Sequence, residues 1–189
     1  MKRGRFKSAV DFSHFIISQW ITFGDVVVDA TCGRGKDTLF LANLVGDNGL
    51  VYAFDIQDEA IKSTYNLLRE NSLEKRVKLI KADHKDMAKY IDGFINACIF
   101  NLGYLPGGNH EIKTEGKTSL AAVKAAIELL APGGLIVIVG YTGHEGGTEE
   151  VGIIRDYLIS LPQQKFEVLE TRFINQINNP PQMMAVHKL

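Results

Sequence analysis

Residues Val26-Val27-Val28-Asp29-Ala30-Thr31-Cys32-Gly33-Arg34-Gly35-Lys36-Asp37-Thr38 run from an apolar strand through two glycines into a helical pattern, an order of residue types that can cradle a nucleotide. Gly33 and Gly35 permit positive φ and close backbone approach, and the free N–H groups opening the helix attract an acceptor or an anion. Asp55 stands 20 residues beyond Gly35, at the end of the next apolar run, Leu50-Val51-Tyr52-Ala53-Phe54. A carboxylate there can accept hydrogen bonds from both hydroxyls of a ribose. Gln57, two residues on, can reach the ribose or the base edge, or stand as a solvated residue of a helical first turn. The dinucleotide fingerprint requires a small residue at position 38 for close packing of helix on strand. Thr38 at that place, and the acidic Asp29 ahead of the turn, point away from NAD.

A second group of residues ends the fourth apolar run: Phe100-Asn101-Leu102-Gly103-Tyr104-Leu105-Pro106-Gly107-Gly108-Asn109-His110. Its N-x-x-Y spacing resembles the (D/N)-P-P-Y motif of amino-methylating enzymes, with Leu102-Gly103 in place of the two prolines. In that motif the Asn side chain accepts a hydrogen bond from the target nitrogen and the aromatic ring stacks on its base, which assigns Asn101 and Tyr104. An Asn acceptor suits a nitrogen nucleophile, and no cysteine lies in the motif to serve covalent carbon chemistry. The polar, glycine-rich connection 103–118 is long for a compact domain and reads as a functional lid. His110 on it can take a proton from an ammonium group; an exposed loop histidine is the plainer alternative. Tyr141 and His144, in Tyr141-Thr142-Gly143-His144-Glu145-Gly146-Gly147, follow the fifth apolar run on the edge where open α/β sheets bind ligands, and can line a target pocket. Asn175 and Asn178, in the amide-rich segment before Pro180-Pro181, can read a base edge or simply form a polar turn.

These groups need a frame. Val10, Phe12, Phe15, Ile16, Gln19, Trp20 and Phe23 recur at helical spacing over about 8–22 and predict an amphipathic helix ahead of the first strand. Apolar runs follow near 26–30, 50–54, 77–80, 95–100 and 135–139, with helical patterns between them at 37–45, 58–71, 84–91 and 117–131. Strands alternating with helices imply a parallel sheet covered on both faces. Beyond a helix near 149–160, two apolar stretches, 166–174 and 183–188, flank Asn178-Asn179-Pro180-Pro181 and predict an antiparallel pair.

Asp29-Ala30-Thr31-Cys32-Gly33-Arg34-Gly35 resembles motif I of the class I S-adenosylmethionine methyltransferases. The resemblance implies an α/β, Rossmann-like fold with a seven-stranded, mostly parallel sheet, a terminal antiparallel strand pair and helices on both faces, formed by residues 1–189 as a single domain. It places Asp29 near the methionine ammonium, Thr31 at the carboxylate end where family members carry a glycine, and Asp37 and Thr38 with the cofactor. It also sets Asp83, after the third apolar run, against the adenine amino group, and His84 over the adenine face, although Asp83 can equally be a helix cap. Taken together, DATCGRGKDTLFLA, NLGYLPGGNH and FINQINNPP are similar to the family labelled putative rRNA methylases, whose members include the MnmM-type tRNA wobble-uridine methyltransferases. That resemblance implies methyl transfer from S-adenosylmethionine to the amine of 5-aminomethyl-uridine, or its 2-thio form, in a tRNA anticodon loop, with no metal. The residues alone reach an N-methyltransferase, so an rRNA base or small-amine substrate stays open, as does a silent module that uses the cofactor fold as a scaffold.

Composition sets the outer bounds. With 189 residues, 46% hydrophobic, the chain can bury one full core. A formal net charge of −1 excludes a global basic field, so any RNA surface is local. The dense basic cluster is Lys2, Arg3, Arg5 and Lys7, either a solvated tail or a phosphate-contacting arm. That small surface and the resemblance are compatible with a homodimer sharing one RNA. Cys32 and Cys98 have neither metal nor disulfide spacing, and Asp11, His14 and Gln19 interrupt the N-terminal apolar pattern short of the roughly 18 residues of a membrane span. The expected location is cytoplasmic.

Overall fold

The computed structural model describes residues 8–103, 116–143, 146–177 and 179–189. Seven strands form one sheet: β1 (Val26–Asp29), β2 (Leu50–Asp55), β3 (Val77–Lys81), β4 (Ile95–Leu102), β5 (Leu130–Gly140), β6 (Phe166–Thr171) and β7 (Gln182–Lys188). Their order is β3-β2-β1-β4-β5-β7-β6. The first five strands are mutually parallel, and β7 runs antiparallel to both β5 and β6. This is the mostly parallel sheet with an antiparallel end that the sequence pattern predicts.

Among the described residues five α-helices cover it: α1 (Ala9–Ile17), α2 (Lys36–Val45), α3 (Asp58–Glu70), α4 (Gly116–Leu129) and α5 (Gly147–Ile159). Because side chains alternate across a pleated strand, each strand feeds two cores. Val28, Tyr52, Phe54, Cys98, Phe100, Ile136 and Ile138 pack on the side of α4 and α5. Val27, Val51, Ala97, Ile99, Leu135 and Val137 pack on the side of α1 and α2. Phe54 and Phe100 are fully buried, each stabilising by about 1.5–3 kcal/mol. The central strands are apolar on both faces for this reason; apart from Asn96 at the start of β4, which accepts from the Val26 N–H, the polar residues of β1 and β4 stand at their carboxyl ends.

Three expected boundaries differ. The first helix ends at Ile17 rather than near residue 22, where the Ser18 hydroxyl donates to the Phe15 carbonyl and single turns carry the chain through Trp20. Residues His84–Lys89 form a 3₁₀ helix rather than an α-helix, opened by the Asp83 carboxylate accepting from the Lys85 N–H. Strand β5 starts at Leu130, through Pro132 and Gly133, with a register shift opposite Ile95 and Ala97. A bulge tolerates the proline because no ladder bond is asked of it there.

Candidate functional site

At the carboxyl end of β1 the chain turns sharply around a buried acid. Asp29 has no exposed surface; one carboxylate oxygen accepts from the Thr31 N–H at 3.1 Å and the other from the Thr38 hydroxyl at 2.6 Å. Burial, then the charge of Asp37, pushes its pKa up to about 7, against the pull of the Thr38 and Thr31 hydrogen bonds. Gly33 and Gly35 both have positive φ, 51° and 81°. At Gly35 the close approach is to α3: a Cβ there would lie 2.9 Å from the Thr64 Cα. Asp55 ends β2 beside this turn and accepts from the Gly33 N–H at 3.0 Å and the Gln57 N–H at 2.9 Å. It remains part exposed, and burial raises its pKa against those bonds. Each oxygen keeps capacity for a further donor such as a ribose hydroxyl.

At the end of β4, the Asn101 backbone N–H donates to the Thr31 hydroxyl at 2.8 Å, tying the two strand ends together. The Thr31 O–H proton stays available to a ligand carboxylate. The Asn101 side-chain Nδ2 donates to Asp37 Oδ2, and the other Asp37 oxygen meets His14 Nε2 at 2.8 Å. His14 arrives from α1 with its ring stacked on Phe40, centroids 4.1 Å apart. A cleft of about 300 Å³ opens over these groups, lined by Val10, Thr31, Gly33, Asp37, Asn101 and Tyr141 among others. Burial, then the Asp37 charge, raises the Tyr141 pKa, so its hydroxyl remains a donor at neutral pH.

On the far side of the cradle, His84 Nδ1 lies 3.1 Å from the Ala30 carbonyl, a contact that requires an Nδ1–H donor. Burial lowers its pKa, keeping the ring neutral. Asp83 caps its own 3₁₀ turn and pairs with Lys85 Nζ at 3.0 Å. Gln57 is the N-cap residue of α3 without a side-chain cap bond.

Two expectations change. Asp29 and Thr38 are fully buried, so they hold the turn from behind rather than lining the cleft. Asn175 is exposed on the connection between β6 and β7, which emerges beside the end of β5, and it does not line the cleft. Tyr104, His110, His144, Asn178 and the basic cluster Lys2, Arg3, Arg5 and Lys7 lie outside the described residues. The structure adds His14, Val10 and the exposed cations Arg34 and Lys36 to the site. A histidine interrupting an apolar helical stripe, one turn after Val10, was the available signal for His14.

The chain matches the family model described as "Putative rRNA methylase" over residues 51–187. It is 42% identical over 180 residues, 90% of this chain, to the Arabidopsis thaliana protein named "tRNA (mnm(5)s(2)U34)-methyltransferase, chloroplastic", and spans 66% of that relative's length. A crystal structure titled as a "putative rRNA-methylase" from Clostridium thermocellum superposes with a TM-score of 0.95 at 48% identity, covering 97% of this chain and 98% of that one. A "putative methyltransferase" of Streptococcus mutans, crystallised in complex with SAH, gives 0.88 at 37% identity, covering 97% and 99%. The residues fit such a ligand: Asp55 offers acceptors for ribose hydroxyls and Thr31 a hydroxyl donor for a carboxylate.

Proposed function

The chain belongs to the "Putative rRNA methylase" family of S-adenosylmethionine-dependent methyltransferases, and from that membership we propose that it methylates the amine of 5-aminomethyl-(2-thio)uridine at the tRNA wobble position, giving the methylaminomethyl product. The observation that carries the nitrogen chemistry is Asn101: it lines the cleft, and with Nδ2 committed to Asp37 its carbonyl oxygen is the side left to accept an N–H. S-Adenosylmethionine, when bound, supplies a methyl group on a good leaving group.

The chain's own contribution is alignment and exclusion of water. Asn101 orients a neutral amine, Tyr141 closes one wall, and Asp55, Gln57, Thr31 and Gly33 hold the nucleoside and the amino-acid ends of the cofactor, with His84 and Asp83 toward the base. Tyr104 stacks on the uracil, an assignment that rests on the N-x-x-Y motif, and His110 of the polar segment 103–118, or a water, removes the proton. Asn175 contacts the anticodon loop away from the cleft, Asn178 reads a base edge, and His144 borders the target base. A splayed single-stranded loop presents its base to stacking and edge contacts of this kind. Buried, unbridged thiols at Cys32 and Cys98 accord with a reducing, cytoplasmic setting.

Nucleosides of tRNA from cells lacking the protein are expected to accumulate the 5-aminomethyl form and lose the methylaminomethyl form, with restoration by the purified chain and S-adenosylmethionine. An unchanged tRNA profile, with an rRNA base or small amine losing its methyl group instead, would reassign the substrate. Asn101→Ala is expected to retain cofactor binding and lose turnover.

A further inference from the structure

We infer that Asp37 is a positioning residue that fixes which side of the Asn101 amide meets the acceptor nitrogen, with His14 anchoring Asp37; this rests on the reading of Asn101 above. The Asn101 Nδ2 donates to Asp37 Oδ2, a carboxylate oxygen that accepts, so the NH₂ group is the side turned to Asp37. That leaves the amide carbonyl for the cleft. The orientation matters because an attacking amine must keep its lone pair on the methyl carbon while its N–H finds an acceptor. A flipped amide would present a donor instead, and that donor would compete for the lone pair.

An Asn amide has two nearly isosteric faces, so only its partners select between them. Asp37 is built for that selection. Its position in the first turn of α2 would by itself suit a carboxylate, yet its oxygens reach outward to two other elements, β4 and α1. The His14 imidazole holds the second oxygen at 2.8 Å and is itself stacked on Phe40, three residues after Asp37, at an interplanar angle of 11°. Asn101 cannot slide away, because its backbone N–H is bound to Thr31. Val10 and His14, one turn apart on α1, thus bring the first helix to the cleft as part of the acceptor site.

The test uses the full chain, S-adenosylmethionine and hypomodified tRNA, with single-turnover rates, cofactor titration and thermal melts for each variant. Asp37→Leu, which removes the acceptor at similar volume, is expected to slow turnover about 10- to 100-fold, with a much smaller change in cofactor affinity. Asn101→Asp, which sets a second carboxylate against Asp37 where the amide donor stood, is expected to be comparably slow. Combining it with Asp37→Asn restores an amide donor facing an acceptor, while the carboxylate introduced at position 101 still presents oxygen to the amine. The double variant is therefore expected to recover about tenfold over Asn101→Asp alone. The inference is overturned if the double variant is no faster than that single one, or if Asp37→Leu turns over like the wild type. Should Asp37→Leu fail to fold, the other two variants decide. Wild-type turnover by Asn101→Ala would instead overturn the parent reading of Asn101, an outcome seen in its own arm.

Discussion

Replacing Asp29 with asparagine is expected to make the folded protein less sensitive to rising pH. The group's pKa is 3.8 in an unperturbed setting and about 7 in the folded chain, where burial and the neighbouring Asp37 charge disfavour ionisation. The folded state therefore holds a proton that the unfolded state releases. Stability contributed by that proton is present below the unfolded pKa and is lost as pH climbs through the window from about 4 to about 7. At about 1.4 kcal/mol per pH unit, the loss between pH 5 and pH 8 is on the order of 3 kcal/mol. Asparagine keeps an oxygen for the Thr31 N–H and offers its NH₂ to the Thr38 hydroxyl, so both local bonds survive without the buried charge. Urea unfolding of wild type and Asp29→Asn across this pH range checks it, with the difference between the two curves removing the titration of every other group. The variant is expected to gain on the wild type as pH rises. Parallel curves, differing by a constant amount throughout, would refute the assignment of a strained buried carboxylate.

Asp55→Ala is expected to weaken S-adenosylmethionine about 10- to 100-fold by calorimetric titration, since it removes the ribose acceptor and also frees the Gly33 and Gln57 N–H groups. Unchanged affinity in a folded variant would remove Asp55 from the cofactor site. Gly35→Ala is expected to destabilise by about 1–3 kcal/mol in denaturant unfolding, because φ is +81° and the added Cβ meets the α3 backbone at Thr64. A melt equal to wild type would show that α3 yields at no cost.

Much of the frame was legible because it depends on local pattern. The valines of β1, the glycine turn and the apolar runs of β2 and β4 are each read from a few consecutive residues, and Asp55, Thr31 and Asn101 fall at the strand ends where such runs stop. What was not legible is what depends on packing. A hydroxyl at position 38 looks like a candidate ligand group, and only the tertiary structure shows it spent on a buried acid. Residues 84–89 have a helical pattern, but the cap at Asp83 opens a 3₁₀ turn. His14 precedes Asp37 by 23 positions, and nothing in that spacing says that α1 crosses the carboxyl edge of the sheet to meet α2.

The bonds found there join parts that the motifs treat as separate. Thr38 donates to Asp29, Asp29 accepts from the Thr31 backbone, the Thr31 hydroxyl accepts from the Asn101 backbone, and the Asn101 side chain donates to Asp37, which His14 holds. One end of this chain shapes the glycine turn after β1, and the other fixes the Asn101 amide, the proposed acceptor. A shift in either end is carried to the other through short, directional contacts between rigid strand ends. Methyl transfer needs an in-line approach of the two reacting groups, and a bonded path between the ends of β1 and β4 supports the alignment that the proposed nitrogen acceptor requires. It also explains how the described residues of the cleft can serve this chemistry while spending their polar groups on one another: they are committed to holding geometry, and the reactivity resides in the sulfonium they are arranged to receive.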